Sequence, residues 1–413
     1  MANIFPFQPY RYSAKAGDIN SLVTQPYDKI SPAMQARYLS LSPHNLVRVI
    51  LGEQFPSDTD TENVYTRAAN YFNDWIAQGL LEKDSKPAFY AYFQEFTPPD
   101  SSERMTRKGF IGLGAVEDYS KNIVHRHEQT LSGPKKDRMQ VLSHTHAHFG
   151  QIFMLYPDRE GAIDRILDEA AQAEPTSVVN DEYGVVHKLW RIDDESKVAE
   201  LQRLMSDKKL LIADGHHRYE TALGFRDAHP ELEDAKRVMM TFVNMYSPGL
   251  KILATHRVLS NLEGFDVNTL IEKLSREFNV QRVATVGEVK SLLEDQSKLR
   301  IGVAAQGSSK FFVLERERKP EDLDVRVLHD DLLGRVMGID EAAVRDEKHI
   351  KYVRGVEAAI DAVKQGAQVA FLLQPTTVDQ TANTSFAGGV MPQKSTDFYP
   401  KLLTGLTIYK LEK

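Results

Sequence analysis

Four apolar residues, Leu210-Leu211-Ile212-Ala213, stop abruptly at Asp214-Gly215-His216-His217-Arg218, and Tyr219, Ala222, Leu223 and Phe225 then recur on roughly one helical face. A short apolar run predicts a buried strand, the glycine a tight turn, and the 3.6-residue recurrence a helix behind it. Similar blocks fill the rest of the chain. Val64, Ala68, Tyr71, Phe72, Trp75, Ile76 and Leu80 predict a core-facing helix over 62–80. The stretches 88–96 and 110–116 predict a hairpin closed by the polar segment 100–104, and 176–179 with 184–190 predict a second hairpin around Asn180-Asp181-Glu182. Strands are expected at 46–50, 152–156, 238–245 and 250–257, and helices at 161–172 and 195–207. Beyond Gly264 the pattern predicts helices near 267–277, 287–295, 323–337 and 353–365, the last ending at Gly366, and strands at 299–304, 310–315 and 369–373. The expected class is mixed α/β or α+β. Three segments are expected: 1–120 with the first hairpin, 121–258 around the Asp214 turn, and 259–413 as a C-terminal α/β domain.

Composition changes the picture in a few places. A chain of 413 residues exceeds what one small core needs, which argues for two or three domains. The net charge of −7 and the lack of a basic stripe disfavour nucleic acid as a partner. There is no cysteine, which excludes disulfides, thiolate metal sites and cysteine nucleophiles and is compatible with the reducing cytoplasm, the expected location. The first residues lack a charged segment followed by an apolar one, so no secretory leader is expected, and no apolar run approaches the roughly 18 residues of a membrane span.

The chemistry concentrates in a few stretches. A helix N-terminus presents N–H groups and about half a positive charge, which suits an anion such as phosphate. Asp214 stands where an N-cap belongs, Gly215 admits close backbone approach, and Arg218 has the fork for phosphate or carboxylate. The alternative is a capped helix whose His216, His217 and Arg218 face solvent. His127-Glu128-Gln129-Thr130 lies among His125, Arg126, Lys135, Lys136, Asp137 and Arg138, so Glu128 is a candidate general base, or the stretch is a solvated charged loop. His144, His146 and His148 alternate, and in a strand they would share one face and bind a metal; otherwise they are ordinary hydrogen-bonded histidines. Gly388-Gly389 leads into Met391-Pro392-Gln393-Lys394-Ser395-Thr396, where a lysine and two hydroxyls suit phosphate, although the glycine spacing is not that of a Walker A loop. Its alternative is an ordered loop. His256-Arg257 at a strand end reads equally as a ligand contact or an ion-paired arginine. No Gly-x-Ser-x-Gly elbow, Rossmann glycine fingerprint or zinc ribbon appears.

Ile212-Ala213-Asp214-Gly215-His216-His217-Arg218, followed by Ala222, resembles the signature of the ParB/sulfiredoxin-like superfamily, in which a strand, turn and helix bind nucleotide phosphate. His127-Glu128 is similar to the His-Glu element of its free-serine kinases, whose glutamate acts on the serine hydroxyl. The chain also resembles the family catalogued as domain of unknown function 1015. The marks are Gln25-Pro26-Tyr27-Asp28, His127-Glu128-Gln129-Thr130, the stretch from Ala213 to Ala222, Thr255-His256-Arg257 and Met391-Pro392-Gln393-Lys394-Ser395-Thr396. The resemblance implies phosphotransfer on free serine, with O-phosphoserine the first substrate to test. Without cysteine, the sulfinic-acid repair of the sulfiredoxin branch is ruled out. The charge and the α/β C-terminal half argue against the DNA-binding ParB branch.

These readings combine into one expectation. Gly215, His216, His217 and Arg218, with Thr130, His256 and Arg257, would bind phosphate, and Lys394, Ser395 and Thr396 would close over it. Glu128, with His127, would be the acid or base at the serine oxygen, and His216 is counted with them among the catalytic residues. Asp214 would be the alternative base or a contact to magnesium. AMP, ADP or ATP would serve as phosphoryl acceptor or donor, water being the other acceptor. A ParB-type nucleotide-binding regulatory module without turnover is the second reading, and a metal site at His144, His146 and His148 the third. Partners are expected to be small molecules and a homo-oligomeric copy, not nucleic acid or membrane.

Overall fold

The computed structural model describes residues 2–99, 101–128, 132–319 and 322–412. The chain forms two units, each with its own sheet: Met1–Arg126, Thr130–Lys251 and Pro400–Lys413 make the first, and His127–Gln129 with Ile252–Tyr399 the second.

The sheet of the first unit has nine strands among the described residues: β1 (Ile4–Phe5), β2 (Phe89–Phe96), β3 (Met105–Ala115), β4 (Val124–His125), β5 (Ile152–Tyr156), β6 (Ser177–Asn180), β7 (Val186–Ile192), β8 (Leu210–Asp214) and β9 (Arg237–Asn244). Their order is β4-β8-β5-β9-β3-β2-β7-β6, with β1 beside β3. β8 runs parallel to β4, and β9 parallel to β5; the remaining pairs are antiparallel. Both predicted hairpins form, as β2–β3 and β6–β7. Five helices position the site: α1 (Val64–Ala77), α2 (Ser132–Thr145), α3 (Ala162–Ala170), α4 (Glu195–Met205) and α5 (His216–Ala228). Ile163 and Leu167 of α3, Leu201 and Met205 of α4, and Tyr219 and Ala222 of α5 recur at helical spacing and pack with Phe110, Met154, Ile212 and Met240 of the strands. Phe72 and Trp75 of α1 and Val141 of α2 build a second cluster with Leu46, Ile50 and Phe149.

The second unit has a six-stranded sheet: β10 (Thr255–Leu259), β11 (Asn279–Val283), β12 (Lys298–Ala305), β13 (Phe311–Glu317), β14 (Ile350–Arg354) and β15 (Val369–Leu372), all antiparallel in the order β11-β13-β12-β15-β10-β14. Alternate residues face opposite ways. Leu259, Val303, Leu314 and Phe371 pack with α6 (Val267–Leu274), and Val258, Ala304, Val313 and Ala370 with α7 (Val286–Glu294) and α8 (Val356–Lys364). Among the described residues no helix is long and apolar enough to cross a membrane.

Several expectations need correction. The segment bounds at 120 and 258 do not match the units, because β2 and β3 interleave with β5, β8 and β9 in one sheet. Residues 46–50 form a helical turn, Val47–Ile50, instead of a strand. The Asn45 side chain accepts the Val47 N–H at 2.9 Å, and Val47, Val49 and Ile50 are all buried. The strand expected over 250–257 is broken into Lys251–Ile252 and β10, and the Leu253 N–H goes to the Asp397 carbonyl at 2.9 Å. The helix expected over 323–337 is a short α-turn, Asp324–Val327, running into a π-helix, Leu328–Val336. β11 and β14, of five residues each, and the helix Val378–Phe386 were not expected from the sequence, because segments this short hold only one or two repeats of any period.

The middle of β3 depends on missing side chains. A Cβ on Gly112 would lie 2.6 Å from the Phe89 ring. Gly112→Val is therefore expected to cost about 1–3 kcal/mol. Urea unfolding measures this, and an unchanged midpoint would contradict the packing.

Candidate functional site

β8 ends in a bulge: Ile212 pairs with Met154 and Asp214 with Phe153, so Ala213 is the extra residue. A bulge at a strand end re-aims the side chain that follows. Leu210 to Ala213 are buried, whereas the Asp214 side chain is 24% exposed. Gly215 has φ +95°, and a Cβ there would lie 3.1 Å from Arg218 Nη2. Both conditions favour glycine. Gly215, not Asp214, takes the N-cap position of α5, and no side chain caps that helix. This corrects the sequence expectation for Asp214. The aspartate remains in the strand, and its carboxylate turns to cations.

Asp214 Oδ2 lies 3.4 Å from Arg218 Nη2 and Oδ1 lies 3.8 Å from Lys401 Nζ. Burial raises the pKa of Asp214, but Lys401, Arg218, Lys29 and His216 outweigh it and hold the carboxyl well below the usual range. Arg218 Nη1 donates to the Gln151 carbonyl, and a Cβ on Gly150 would lie 3.1 Å from the same nitrogen. The guanidinium is thus seated between two glycines. His216 is buried, and His217 is half-buried.

Lys401 is placed by a buried polar chain. Gln94 Nε2 donates to the Lys401 carbonyl at 2.9 Å, and Arg107 Nη2 to the Pro400 carbonyl at 2.6 Å. Arg107 Nε donates to Gln94 Oε1 at 3.0 Å. Burial pushes the Arg107 pKa down to about 10 against the pull of Tyr92 and Asp214, so the group remains a cation at neutral pH. Behind it, the Tyr92 hydroxyl lies 2.7 Å from His187 Nδ1, and His187 Nε2 lies 3.3 Å from Asp181 Oδ2. Gln25 Nε2 donates to that same carboxylate oxygen at 3.1 Å. Sequence reasoning marked Gln25 only as part of a motif and missed Lys29, Gln94, Arg107, His187 and Lys401. No local spacing pattern joins residues this far apart in the chain.

His127, Glu128, His256, Arg257, Lys394, Ser395 and Thr396 lie in the second unit. The Glu128 carboxylate accepts the Lys394 N–H at 2.8 Å, and the His127 carbonyl accepts the Met391 N–H at 2.7 Å. His127 Nε2 lies 2.7 Å from Thr396 Oγ1. Arg257 Nη2 donates to the Gln393 and Lys394 carbonyls, both at 3.1 Å, and its Nε to His329 Nε2 at 3.3 Å. Arg257 is only 1% exposed, so it holds the backbone of the loop instead of reaching outward. His256 Nδ1 accepts the Leu373 N–H at 3.2 Å, and burial pushes its pKa down to about 4, leaving a neutral packed imidazole. Ser395 Oγ donates to the Pro392 carbonyl at 2.5 Å and is buried, while Lys394 is exposed with φ +55°. Thr130 lies outside the described residues.

The three alternating histidines do not converge. His144 lies in the last turn of α2, with Nδ1 2.8 Å from the Gln140 carbonyl; His146 has φ +47°; His148 stacks on Tyr409. Helix and left-handed turn replace the strand that would have aligned them. No group of three metal-ligating side chains occurs among the described residues. Asp214 has its two oxygens turned to Arg218 and Lys401, so this donor set does not fit magnesium held by the protein alone.

The profile of a family described as "protein of unknown function (DUF1015)" matches residues 4–332. The chain belongs to the DUF1015 family. The matched stretch contains the 25–28, 127–130, 213–222 and 255–257 elements and stops before the 391–396 loop. No curated protein matches this DUF1015 chain. Among solved structures, a free serine kinase mutant in complex with ADP is 12% identical over 71% of this chain and 91% of its own, with a TM-score of 0.38. A conserved hypothetical protein from Pyrococcus furiosus is 13% identical over 70% of this chain and 92% of its own, with a TM-score of 0.37. A free serine kinase in complex with AMP is 13% identical over 69% of this chain and 89% of its own, with a TM-score of 0.36. Likenesses of this size assign no activity.

Because the folded pKa of Asp214 lies below its unfolded value, its stabilisation is present above the ordinary carboxylate range and is lost as pH falls through that range toward the folded value. Asp214→Asn is expected to remove part of the stability at neutral pH and to flatten the loss between about pH 5 and pH 2. Urea unfolding across pH measures this; identical profiles for the two proteins would contradict the assignment.

Proposed function

We propose that this DUF1015 protein is a phosphotransfer enzyme acting on free serine or O-phosphoserine. The observation that supports this reading is the helix start at Gly215, without a side-chain cap, together with the cations gathered at Asp214. Lys29, Arg218 and Lys401 act on Asp214 as cations, Lys29 also meeting Asp28 at 3.8 Å, and the N-terminus of α5 adds positive field, so an added dianion gains attraction there. In this reading the phosphoryl group is held at the turn by Gly215, His216, His217 and Arg218. Lys394, Ser395 and Thr396 contribute further phosphate contacts, Arg257 holds the backbone of that loop, and His256 packs on the Leu373 N–H. The P–O bond to the serine oxygen breaks, a new P–O bond forms to water or to the terminal phosphate of AMP or ADP, and the serine oxygen takes up a proton. Glu128 handles that proton, and in the reverse direction it receives the proton of the serine hydroxyl. Positioning and charge neutralisation supply the rate enhancement.

One observation favours a second reading, nucleotide binding without turnover: Glu128 already spends a carboxylate oxygen on the Lys394 N–H. A glutamate used as a loop clamp would leave nucleotide binding intact on Glu128→Gln and no turnover to lose.

The test incubates the protein with O-phosphoserine, with and without AMP or ADP and with and without magnesium, and follows serine and phosphate. The reverse reaction is run from serine and ATP or ADP. Turnover is expected in at least one combination, and Arg218→Met is expected to reduce it by about 10²–10³. No turnover in any combination, in either direction, would rule the enzyme reading out.

A further inference from the structure

A cavity of about 60 Å³ opens in the first unit beside Arg218. Its floor is apolar: Ile50, Val141, Leu142, Ala147 and Phe149 line it, and all five are buried. Serine, phosphate and O-phosphoserine are polar throughout and gain nothing from such a floor. The floor calls for a ligand with an apolar body.

The wall is flat. The Arg138 guanidinium lies 4.0 Å from the centroid of the Tyr27 ring. Arg138 Nε donates to Asp137 Oδ2 at 2.8 Å, and the Tyr65 hydroxyl donates to Asp137 Oδ1 at 2.9 Å, so the guanidinium plane is fixed in advance. Burial pushes the Tyr27 phenol up to about 12, so it stays neutral at physiological pH. A fixed guanidinium and a phenol ring are surfaces on which another planar ring stacks.

One corner of the cavity is Arg218, whose guanidinium also meets Asp214. Gly150 keeps that corner open, since a Cβ there would stand 3.1 Å from Arg218 Nη1 and 3.5 Å from Thr404 Oγ1. A ligand with an anion at the turn and a planar group a short distance away would use both places at once.

We propose that this cavity, floored by Val141 and Leu142 and walled by Tyr27 and Arg138, holds the base of a nucleoside phosphate whose phosphate lies at the Gly215–Arg218 turn. The assignment rests on the phosphate reading of that turn. It adds the place of the base and a set of residues outside the serine chemistry.

Isothermal titration of the full chain with AMP, ribose 5-phosphate and inorganic phosphate tests it, alongside Tyr27→Ala, which removes the wall, and Val141→Phe, which fills the floor. Thermal melts of both variants check folding. Wild type is expected to bind AMP about tenfold or more tighter than ribose 5-phosphate. Each folded variant is expected to lose that preference and to keep its ribose 5-phosphate affinity within about twofold. Equal binding of AMP and ribose 5-phosphate by wild type, or a preference that survives Tyr27→Ala, would overturn the base site while leaving the phosphate site standing. An AMP preference that depends on the cavity, without binding of ribose 5-phosphate or inorganic phosphate, would support the base site and overturn the phosphate reading. No binding of any of the three would overturn both.

Discussion

The first unit's site depends on one ionised carboxylate kept among cations. Asp214 has left the buried part of β8, and burial alone would favour its protonated form. Lys401, Arg218 and Lys29 reverse that preference. Pairwise attraction at 3–4 Å is worth several kcal/mol at the effective dielectric near a protein surface, enough to exceed partial desolvation. These cations gather at the start of a helix whose first turn has no side-chain cap.

That gathering has to be built, because like charges do not come together unaided. Lys401 is delivered by its backbone: Gln94 and Arg107 hold the carbonyls of Lys401 and Pro400. Arg107 is itself buried, and it is kept in place by Gln94 and by the face of the Phe153 ring, 4.6 Å away. The same polar chain passes through His187 to Asp181, where Gln25 anchors the segment that carries Tyr27 and Lys29. Asp181 and His187 therefore stand behind both Lys29 and Lys401. In the second unit Arg257 has the comparable task of holding the 393–394 backbone, with Glu128 on the Lys394 N–H.

The fold was legible wherever burial is periodic. The strand-turn-helix at 210–228, both hairpins and the strand pattern beyond 298 followed from apolar spacing. Residues 46–50 failed because Val47, Val49 and Ile50 fit either period, and a contact from Asn45 decided for the helix. Of the site, Asp214, Gly215 and Arg218 were visible because their chemistry is packed into five consecutive residues. Lys401 and Arg107 were not, since each is an ordinary charged residue whose partner lies far along the chain. His256 and Arg257 looked like a ligand pair because the sequence says nothing of burial, and burial makes one a neutral packing group and the other a loop clamp.

The decisive measurement for an anion site at this turn is a titration of the isotopically labelled protein with inorganic phosphate, followed by backbone amide NMR. The amides of Gly215, His216, His217 and Arg218 should show the largest saturable shifts, and Arg218→Met should abolish them. Shifts confined to other regions, or no saturable shift at those four amides, would contradict phosphate binding there.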